Sequence, residues 1–338
     1  MALRRAGRLA LLLAVLAAVA GAAFLAWDWH TPYGVPGEAR VTIRRGMHAG
    51  EVAETLHRAG RIRFLPSFKI AFVLYGKPRR IRPGTYHFER PMSPLEVLNK
   101  LNRGDVELAR VTIPEGLTLD QAADLLADAG IGRREAFLAA FRDVSPLEGL
   151  DPRAEDLEGY LFPETYRFDP GLSERAVAET LVKAFRSFWA REGLPSGKPV
   201  RETVTLASLV EKETAAPEER PVVAGVFENR LRLRMPLQTD PSVLYALRRA
   251  GLARSLLLRE DWGFESPYNT YRILGLPPGP ICSPGRASLE AALHPQRTPY
   301  LYFVSRNDGT HAFSRTLEEH NAWVARTRKG RNGGGGRR

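Results

Sequence analysis

The feature that most constrains this chain is an uncharged run near its amino terminus, residues 9–27, which follows three arginines. At about 1.5 Å per helical residue, this run nearly matches a hydrocarbon core of roughly 30 Å. Trp27 and Trp29 stand where an aromatic belt is expected. Because positive residues remain on the cytoplasmic side, the sequence predicts a single-pass anchor in the cell (inner) membrane at residues 9–29. Residues 1–8 are then cytoplasmic, and the rest lies in the periplasm or extracytoplasmic space.

A cleaved signal peptide is the competing interpretation of the same run. Ala20-Gly21-Ala22 resembles a small-residue cleavage site. The apolar residues continue past this site through Phe24 and Leu25, which favours a retained anchor.

Composition and charge narrow the class of protein. The chain has 338 residues, of which 44% are hydrophobic and 26% charged, and this is ordinary globular composition with room for two domains. A net charge of +11 admits nucleic acid, an anionic membrane surface or an anionic polymer as a partner. No nucleic-acid-binding motif is present, so no nucleic-acid partner is expected. The single cysteine, Cys282, excludes an intrachain disulfide, and we expect neither a metal nor a cofactor.

An internal repeat organises the chain after the anchor. VTIRRGMHAGEVAETLHRAG (residues 41–60) aligns at an offset of 70 with VTIPEGLTLDQAADLLADAG (residues 111–130). Each copy predicts a short β-branched strand, a glycine turn and an amphipathic helix that ends at a glycine. Between the copies, the sequence predicts a helix around residues 68–75, a strand at residues 84–88 and a helix over residues 94–102.

The module predicted at residues 41–110 is basic. Residues 35–110 contain 15 Lys and Arg against 7 Asp and Glu. Docking on anionic lipid, at very roughly 1 kcal/mol per close charge, and attraction to an anionic wall polymer both suit such a surface. The sequence leaves these two alternatives open.

The stretch VTLASLVEKET, residues 204–214, predicts a short apolar helix that ends in two carboxylates. At about 3.6 residues per turn, Glu213 shares a stripe with Leu206 and Leu209, whereas Glu211 lies on the other side, where we expect it to be solvated. A carboxyl against apolar neighbours has a raised pKa and keeps a proton that it can donate. Glu213 is therefore a candidate general acid. The alternative is a frayed helix end with both glutamates solvated.

Several polar and aromatic segments suit a carbohydrate site. LEGYLFPETYRF (residues 157–168) predicts either a loop that presents aromatic faces or aromatics packed under a domain edge. Residues 266–295, rich in Gly, Pro, Tyr and Asn, predict a fixed cleft loop. Neither G-x-S-x-G nor H-E-x-x-H is present. What remains is carboxylate chemistry with aromatic, amide and phenol groups, a combination that suits sugars.

Seven strings in one order resemble the endolytic murein transglycosylases, the MltG or YceG-like family. The strings are EGYLFPETY, LASLVEKET, NRL followed by MPLQTDPSVLYAL, SPYNTY, GLPPGPICSPG, AALHP followed by YLYFV, and HAFS. The resemblance extends from the anchor to Trp323.

The resemblance implies a lyase that cleaves nascent peptidoglycan between N-acetylmuramic acid and N-acetylglucosamine and leaves 1,6-anhydro ends. The second glutamate of E-K-E-T is regarded as catalytic in the family, and here it is Glu213. Gln238, Tyr268, Asn269 and Tyr271 are candidates to bind substrate and steady the transition state; structuring their own loops is the alternative for each.

Further expectations follow from the same resemblance. Glu164 is a candidate for positioning substrate or for a structural role. The basic module resembles a LysM-like glycan-binding subdomain, and the implied partners are peptidoglycan strands and wall-synthesis machinery, a penicillin-binding protein and a polymerase. The competing function is a non-catalytic peptidoglycan-binding scaffold that recruits wall synthases. A third candidate function is association with a membrane or with nucleic acid that is driven by charge alone.

The predicted fold class is α+β, with a single transmembrane helix, a small LysM-like α+β module and a larger mixed α+β catalytic domain. The predicted divisions are a cytoplasmic end (1–8), the anchor (9–29), a linker (30–40), the module (41–110), a connecting repeat-like segment (111–150), a YceG-like catalytic domain (151–325) and a disordered basic Gly-rich tail (326–338).

Overall fold

The protein divides into two compact units. The computed structural model describes residues 2–44, 46–76, 81–169 and 171–333. The first unit comprises residues 1–109 with 167–172, and the second comprises the remainder. Helices and two-stranded sheets occur together in the chain, which confirms the predicted mixed α+β class.

The chain begins with a long helix, α1 (Ala2–His30). Its stretch Gly7–His30 is long and apolar enough to cross a membrane, and the 18 most apolar consecutive residues of this stretch are not buried in the protein. A signal sequence near the amino terminus meets the same criterion.

The rest of the first unit is a β-α-α-β arrangement followed by a helix. Its elements are β1 (Ala39–Ile43), α2 (Ala49–Arg58), α3 (Leu65–Tyr75), β2 (Gly84–Phe88) and α4 (Pro94–Arg103). β1 and β2 are antiparallel, with Val41 opposite Tyr86. Alternate strand residues face a core that includes Leu56, Phe68 and Leu101, all fully buried. The predicted elements between the repeats are confirmed.

The second copy of the repeat begins the second unit. It contains β3 (Ala109–Thr112) and α5 (Leu119–Asp128). Gly46 and Gly116 occupy equivalent turns with φ of 86° and 77°, a conformation that glycine adopts without strain. Gly60 and Gly130 follow the two helices with φ of 65° and 72°. The predicted strand, turn and helix are thus present in both copies.

Helices dominate the second unit. After α5 come α6 (Arg134–Phe141), β4 (Thr165–Phe168), α7 (Glu174–Phe188), α8 (Leu194–Ser196), α9 (Val200–Glu213), α10 (Arg220–Arg232), α11 (Asp240–Arg249), α12 (Arg286–Leu293), β5 (Tyr302–Ser305), β6 (His311–Ser314) and α13 (Leu317–Gly333). β3 pairs with β4, and β5 with β6. The antiparallel pair β5 and β6 places Phe303 opposite Phe313 and confirms the predicted hairpin.

Helix α9 lies at the centre of this unit. It packs against α10, α11 and α12, and every residue from position 203 to 210 is buried. A helix that is enclosed on all sides positions its carboxyl-terminal residues firmly. Both glutamates of the VEKET string are therefore placed by a rigid core element.

The aromatic segment 157–168 packs in the core instead of presenting ring faces. The rings of Tyr160 and Phe185 lie 5.1 Å apart in an edge-to-face arrangement, and those of Phe162 and Phe188 are stacked at 5.5 Å. The first of the two predicted alternatives is wrong because the amphipathic face of α7 supplies partners for these rings.

The end of the chain is more ordered than predicted. Helix α13 continues to Gly333, into the segment 326–338 that we expected to be disordered. Glu318 and Glu319 lie in its first turn, where the helix dipole favours negative charge. The guanidinium of Arg326 also lies 5.2 Å from the Trp323 ring centroid. Residues 334–338, the last part of that prediction, lie outside the described residues.

At Gly225, helix α10 lies close to the segment after α12. A Cβ at this position would stand 2.1 Å from the backbone oxygen of Gln296, whose N–H is bonded to the carbonyl of Pro221. We expect Gly225→Ala to lower the free energy of unfolding by about 1–3 kcal/mol through overpacking, measured by urea denaturation. The control Gly50→Ala, a helical glycine with open space around it, should not destabilise the protein.

Candidate active site

The turn after α9 holds Glu213 at the end of a rigid helix. The N–H of Thr214 donates to the carbonyl of Val210, and the Thr214 hydroxyl donates to Glu219 Oε2 at 3.3 Å. The same carboxylate oxygen lies 2.6 Å from His311 Nδ1, while Glu219 Oε1 accepts the backbone N–H of His311 at 2.8 Å. This polar cluster joins the end of α9 to strand β6.

The carboxyl of Glu213 is enclosed although the residue as a whole is half-buried. Among the residues described, its Oε2 has no hydrogen-bond partner and is inaccessible to solvent. Burial, and after it the negative charge of Asp240, raise the pKa of Glu213 from its ordinary 4.5 to about 8, while the positive charge of Arg230 opposes this shift. Glu213 therefore holds a proton at neutral pH.

Arg230 is a fixed cation beside Glu213. Its guanidinium donates to the carbonyls of Leu301 at 2.7 Å and Leu237 at 2.9 Å, and it lies 5.2 Å from the Tyr302 ring centroid. These contacts tie α10 to the loop before α11 and to strand β5. Because the charge is held by backbone carbonyls, its position does not depend on a carboxylate partner.

Asp240 brings a second carboxylate to the site. It accepts hydrogen bonds from the Tyr271 hydroxyl at 2.7 Å and from Trp262 Nε1 at 3.2 Å. The rings of Trp262 and Tyr271 are stacked, with centroids 5.7 Å apart and planes 22° from parallel. Trp262 is exposed, so an aromatic platform lies next to this carboxylate.

Gln238 lies in the same group. Its φ of 53° is left-handed, and its N–H donates to the carbonyl of Thr270 at 3.1 Å. Its exposed side chain places Oε1 at 3.5 Å from Arg230 Nη1. The Thr270 hydroxyl also accepts the N–H of Thr239 at 2.9 Å, so the loop before α11 is pinned to the loop that contains Tyr271.

The remaining predicted residues lie elsewhere in the fold. Asn269 is fully buried, and its amide donates to the carbonyls of Trp262 and Phe264, as the loop-structuring alternative predicts. Tyr268 packs 5.0 Å from the Tyr245 ring. Glu164 is exposed just before β4, where its backbone carbonyl accepts the N–H of Ile113, the residue that follows β3. Of the candidate substrate contacts, the structure brings Gln238 and Tyr271 together with Glu213.

Glu211 is not solvated, which corrects our expectation. Its Oε1 lies 3.3 Å from Arg220 Nη2, its Oε2 accepts the N–H of Gly285 at 2.9 Å, and only 7% of its side chain is exposed. The expectation was wrong because the Ala207 and Ser208 side of α9 is covered by α12 and the preceding loop. The two glutamates nevertheless differ, since Glu211 is paired and Glu213 holds a proton.

Sequence reasoning missed three members of the site. Arg230 stands in the quoted NRL string, so a signal was present, but its role depends on distant carbonyls. Trp262 lies outside every quoted string. His320 of α13 has its ring 5.5 Å from Tyr302, and burial together with the charge of Arg230 lowers its pKa.

A carboxyl that keeps its proton, beside a fixed cation, a second carboxylate and an aromatic platform, is chemically suited to general acid–base catalysis. The chain matches the YceG-like family over residues 41–326 and belongs to this family.

Similar proteins agree with this assignment. An endolytic murein transglycosylase of Bacillus subtilis strain 168 is 35% identical over 300 residues, which are 83% of this chain and 82% of the relative. One from Streptococcus pneumoniae strain R6 is 32% identical over 320 residues, and the match spans 84% of this chain and 57% of that relative. A crystal structure of a YceG-like protein from Listeria monocytogenes has a TM-score of 0.58 at 32% identity and covers 85% of this chain and 99% of its own. These relatives confirm the predicted family and enzyme class, a lytic transglycosylase.

Proposed function

We propose that this chain is a membrane-anchored endolytic lytic transglycosylase of peptidoglycan. It cleaves nascent glycan strands between N-acetylmuramic acid and N-acetylglucosamine, leaves 1,6-anhydro ends and terminates strand elongation. The observation that carries the proposal is the enclosed carboxyl of Glu213, whose raised pKa leaves it protonated at neutral pH.

Glu213 acts first as an acid and then as a base. Its proton passes to the glycosidic oxygen, the bond from that oxygen to C1 of the muramyl residue breaks, and the N-acetylglucosamine side leaves as an alcohol. The carboxylate then takes the proton of the muramyl 6-hydroxyl as that oxygen bonds to C1. Glu213 returns to its protonated form, and no water is consumed. One carboxyl suffices because the nucleophile belongs to the substrate.

The surrounding groups suit the charge that develops at C1. Asp240, held by Tyr271 and Trp262, supplies a negative charge near an oxocarbenium-like transition state. The exposed ring of Trp262 offers a stacking surface for a pyranose. Gln238 and Tyr271 are the proposed hydrogen-bonding contacts to substrate in this group.

The first unit supports the location and the partners in this proposal. Helix α1 is the anchor, with the amino terminus in the cytoplasm and the residues after α1 outside the inner membrane. The β1-α2-α3-β2 arrangement is proposed as the LysM-like glycan-binding module. Because a strand-terminating enzyme must reach the nascent strand, a penicillin-binding protein and a polymerase are its proposed neighbours.

A non-catalytic scaffold is the second candidate, and the basic first unit with its membrane helix favours it. Incubating purified, undenatured glycan strands with the full chain in detergent separates the two. The enzyme releases soluble fragments over time, whereas a scaffold retains strands without shortening them. Binding without any fragment release would reject the catalytic proposal.

The pH dependence of cleavage should follow the state of Glu213. The rate should be sustained below about pH 8 and fall above it, because the general acid must start protonated. Asp240→Asn removes a charge that raises this pKa, so the alkaline limb of kcat/KM should move to lower pH. The exposed control Asp128→Asn should leave the limb in place. An unmoved limb in Asp240→Asn would contradict the coupling.

The raised pKa of Glu213 also makes the stability of the folded protein depend on pH. Between about pH 4.5 and pH 8 the unfolded chain ionises Glu213 while the folded chain keeps it protonated. Glu213 therefore destabilises the fold increasingly as pH rises through this window, and Glu213→Gln should remove that pH-dependent loss in urea denaturation.

A further inference from the structure

We propose that helix α3 is a second membrane contact, whose exposed apolar side lies in the interfacial layer of the bilayer that α1 crosses. The inference rests on the proposed function in one respect, since it requires α1 to be a retained anchor. It goes further by assigning one face of the first unit to lipid.

Helix α3 is apolar along almost its whole length. Lys69 is the single charged residue in LPSFKIAFVLY. Phe68 and Phe72 are buried in the core of the unit, which accounts for one side of the helix. On the other side Val73 is 83% exposed and Leu74 61% exposed, and the neighbouring side chains of Ile70 and Tyr75 are also exposed. An exposed apolar face of this kind on a short helix indicates that the face binds an apolar partner.

The last turns of α1 run beside this helix. The rings of Phe24 and Phe64 lie 5.2 Å apart at the start of α3. Trp29 Nε1 donates to the backbone oxygen and hydroxyl of Ser67 at 3.2 and 3.0 Å, and its ring meets Tyr75 edge-on at 5.8 Å. Because Phe24 belongs to the apolar run of the anchor, these contacts place α3 at the level where α1 leaves the hydrocarbon.

The side chains around this junction have the composition of a membrane interface. The Arg63 guanidinium lies 4.9 Å from the Trp27 ring centroid and 5.0 Å from that of Tyr33. Tryptophan, tyrosine and arginine are the residues that occupy the headgroup level, where an aromatic ring stays in the apolar layer and a cation reaches lipid phosphate. The positive charge of residues 35–110 adds attraction to an anionic leaflet.

Lipid suits this face better than a glycan strand. Three of its four exposed apolar members, Ile70, Val73 and Leu74, are aliphatic and carry no hydrogen-bonding group, whereas sugar sites combine ring faces with polar groups. Continuity with α1 also places the face at the bilayer without any further partner. The first unit is then held against the outer leaflet by two elements, a spanning helix and an interfacial one.

The test uses the full chain in vesicles of phosphatidylethanolamine and phosphatidylglycerol. A nitrobenzoxadiazole fluorophore is attached at Val73→Cys, and labelling is confined to that position because Cys282 is fully buried. We expect lipids that carry a nitroxide near the headgroup to quench the fluorescence of this label. We expect aqueous iodide to leave the fluorescence unquenched. Ile70→Glu/Leu74→Glu should reverse both results while α1 keeps the protein on floated vesicles. The matched control Leu252→Glu/Leu256→Glu changes exposed leucines of the second unit and should leave the reporter unchanged.

Three results would overturn the inference. One is free quenching by iodide at position 73 in a protein whose mass shows an intact amino terminus. The second is protection that rises with the ratio of protein to lipid, which assigns the face to another copy of the chain. The third is a mass that begins after Ala22, which removes the anchor and this contact together. Strand cleavage in detergent tests the catalytic role of Glu213, and it does not depend on any of these three results.

Discussion

Glu213→Gln should lower the rate of glycan-strand cleavage by about 10²- to 10⁴-fold, the range that general acid–base catalysis supplies. Glutamine keeps the shape of the side chain but cannot give a proton to the glycosidic oxygen or take one from the 6-hydroxyl. The measurement is the initial rate of fragment release from purified strands under saturating substrate.

The interpretation depends on the variant remaining folded, and the structure predicts that it does. Glu213 is protonated in the native state, so an amide of the same size removes no buried charge. Its midpoint in urea should be no lower than that of the parent at neutral pH. Glu218→Gln makes the same chemical change at an exposed position five residues away and should retain full activity. Retention of the parent rate in Glu213→Gln would remove this residue from the mechanism.

Arg220→Met should lower the free energy of unfolding by about 3–5 kcal/mol, because it leaves the buried carboxylate of Glu211 without its cation. Side-chain exposure is 9% for Arg220 and 7% for Glu211, so water cannot replace the lost partner. Urea denaturation at neutral pH measures the loss. Arg232→Met, on the same helix but exposed, should change stability by no more than about 0.5 kcal/mol.

A second substitution shows whether the unpaired charge is the cause. Glu211→Gln/Arg220→Met removes both charges and should recover part of the stability lost in Arg220→Met. If the double variant is less stable than Arg220→Met alone, the loss arises from packing around Arg220 and the account of this ion pair is wrong.

Much of the fold was predictable because local signals and tertiary packing agree. The repeated strand, glycine turn and helix depend on β-branched residues and on glycines at positive φ, such as Gly46 and Gly116, which the sequence displays directly. The segment 157–168 was harder because aromatic residues suit both a core and a cleft. The ring contacts with Phe185 and Phe188 of α7 show that this segment packs in the core, and the sequence does not display these contacts.

The candidate site was also predictable only in part. Helical phase and the family resemblance both pointed to Glu213, yet phase alone does not explain its environment, because the centre of α9 is buried on every side. The pKa of Glu213 depends on Asp240 and Arg230, which reach it from other elements. Asn269 is a polar residue in a loop that resembles a cleft loop, which made it a candidate substrate contact. Its side-chain amide instead donates to backbone carbonyls of the same region and stabilises that loop.

The most direct test of the central claim is the mass of the ends that cleavage creates, measured on fragments released in ¹⁸O-labelled water. A lyase in which the muramyl 6-oxygen closes on C1 predicts 1,6-anhydro-N-acetylmuramic ends without ¹⁸O, and their absence from the Glu213→Gln digest. Reducing N-acetylmuramic ends that carry ¹⁸O would contradict the account and indicate a hydrolase in which water, activated by a second carboxylate such as Asp240, attacks C1.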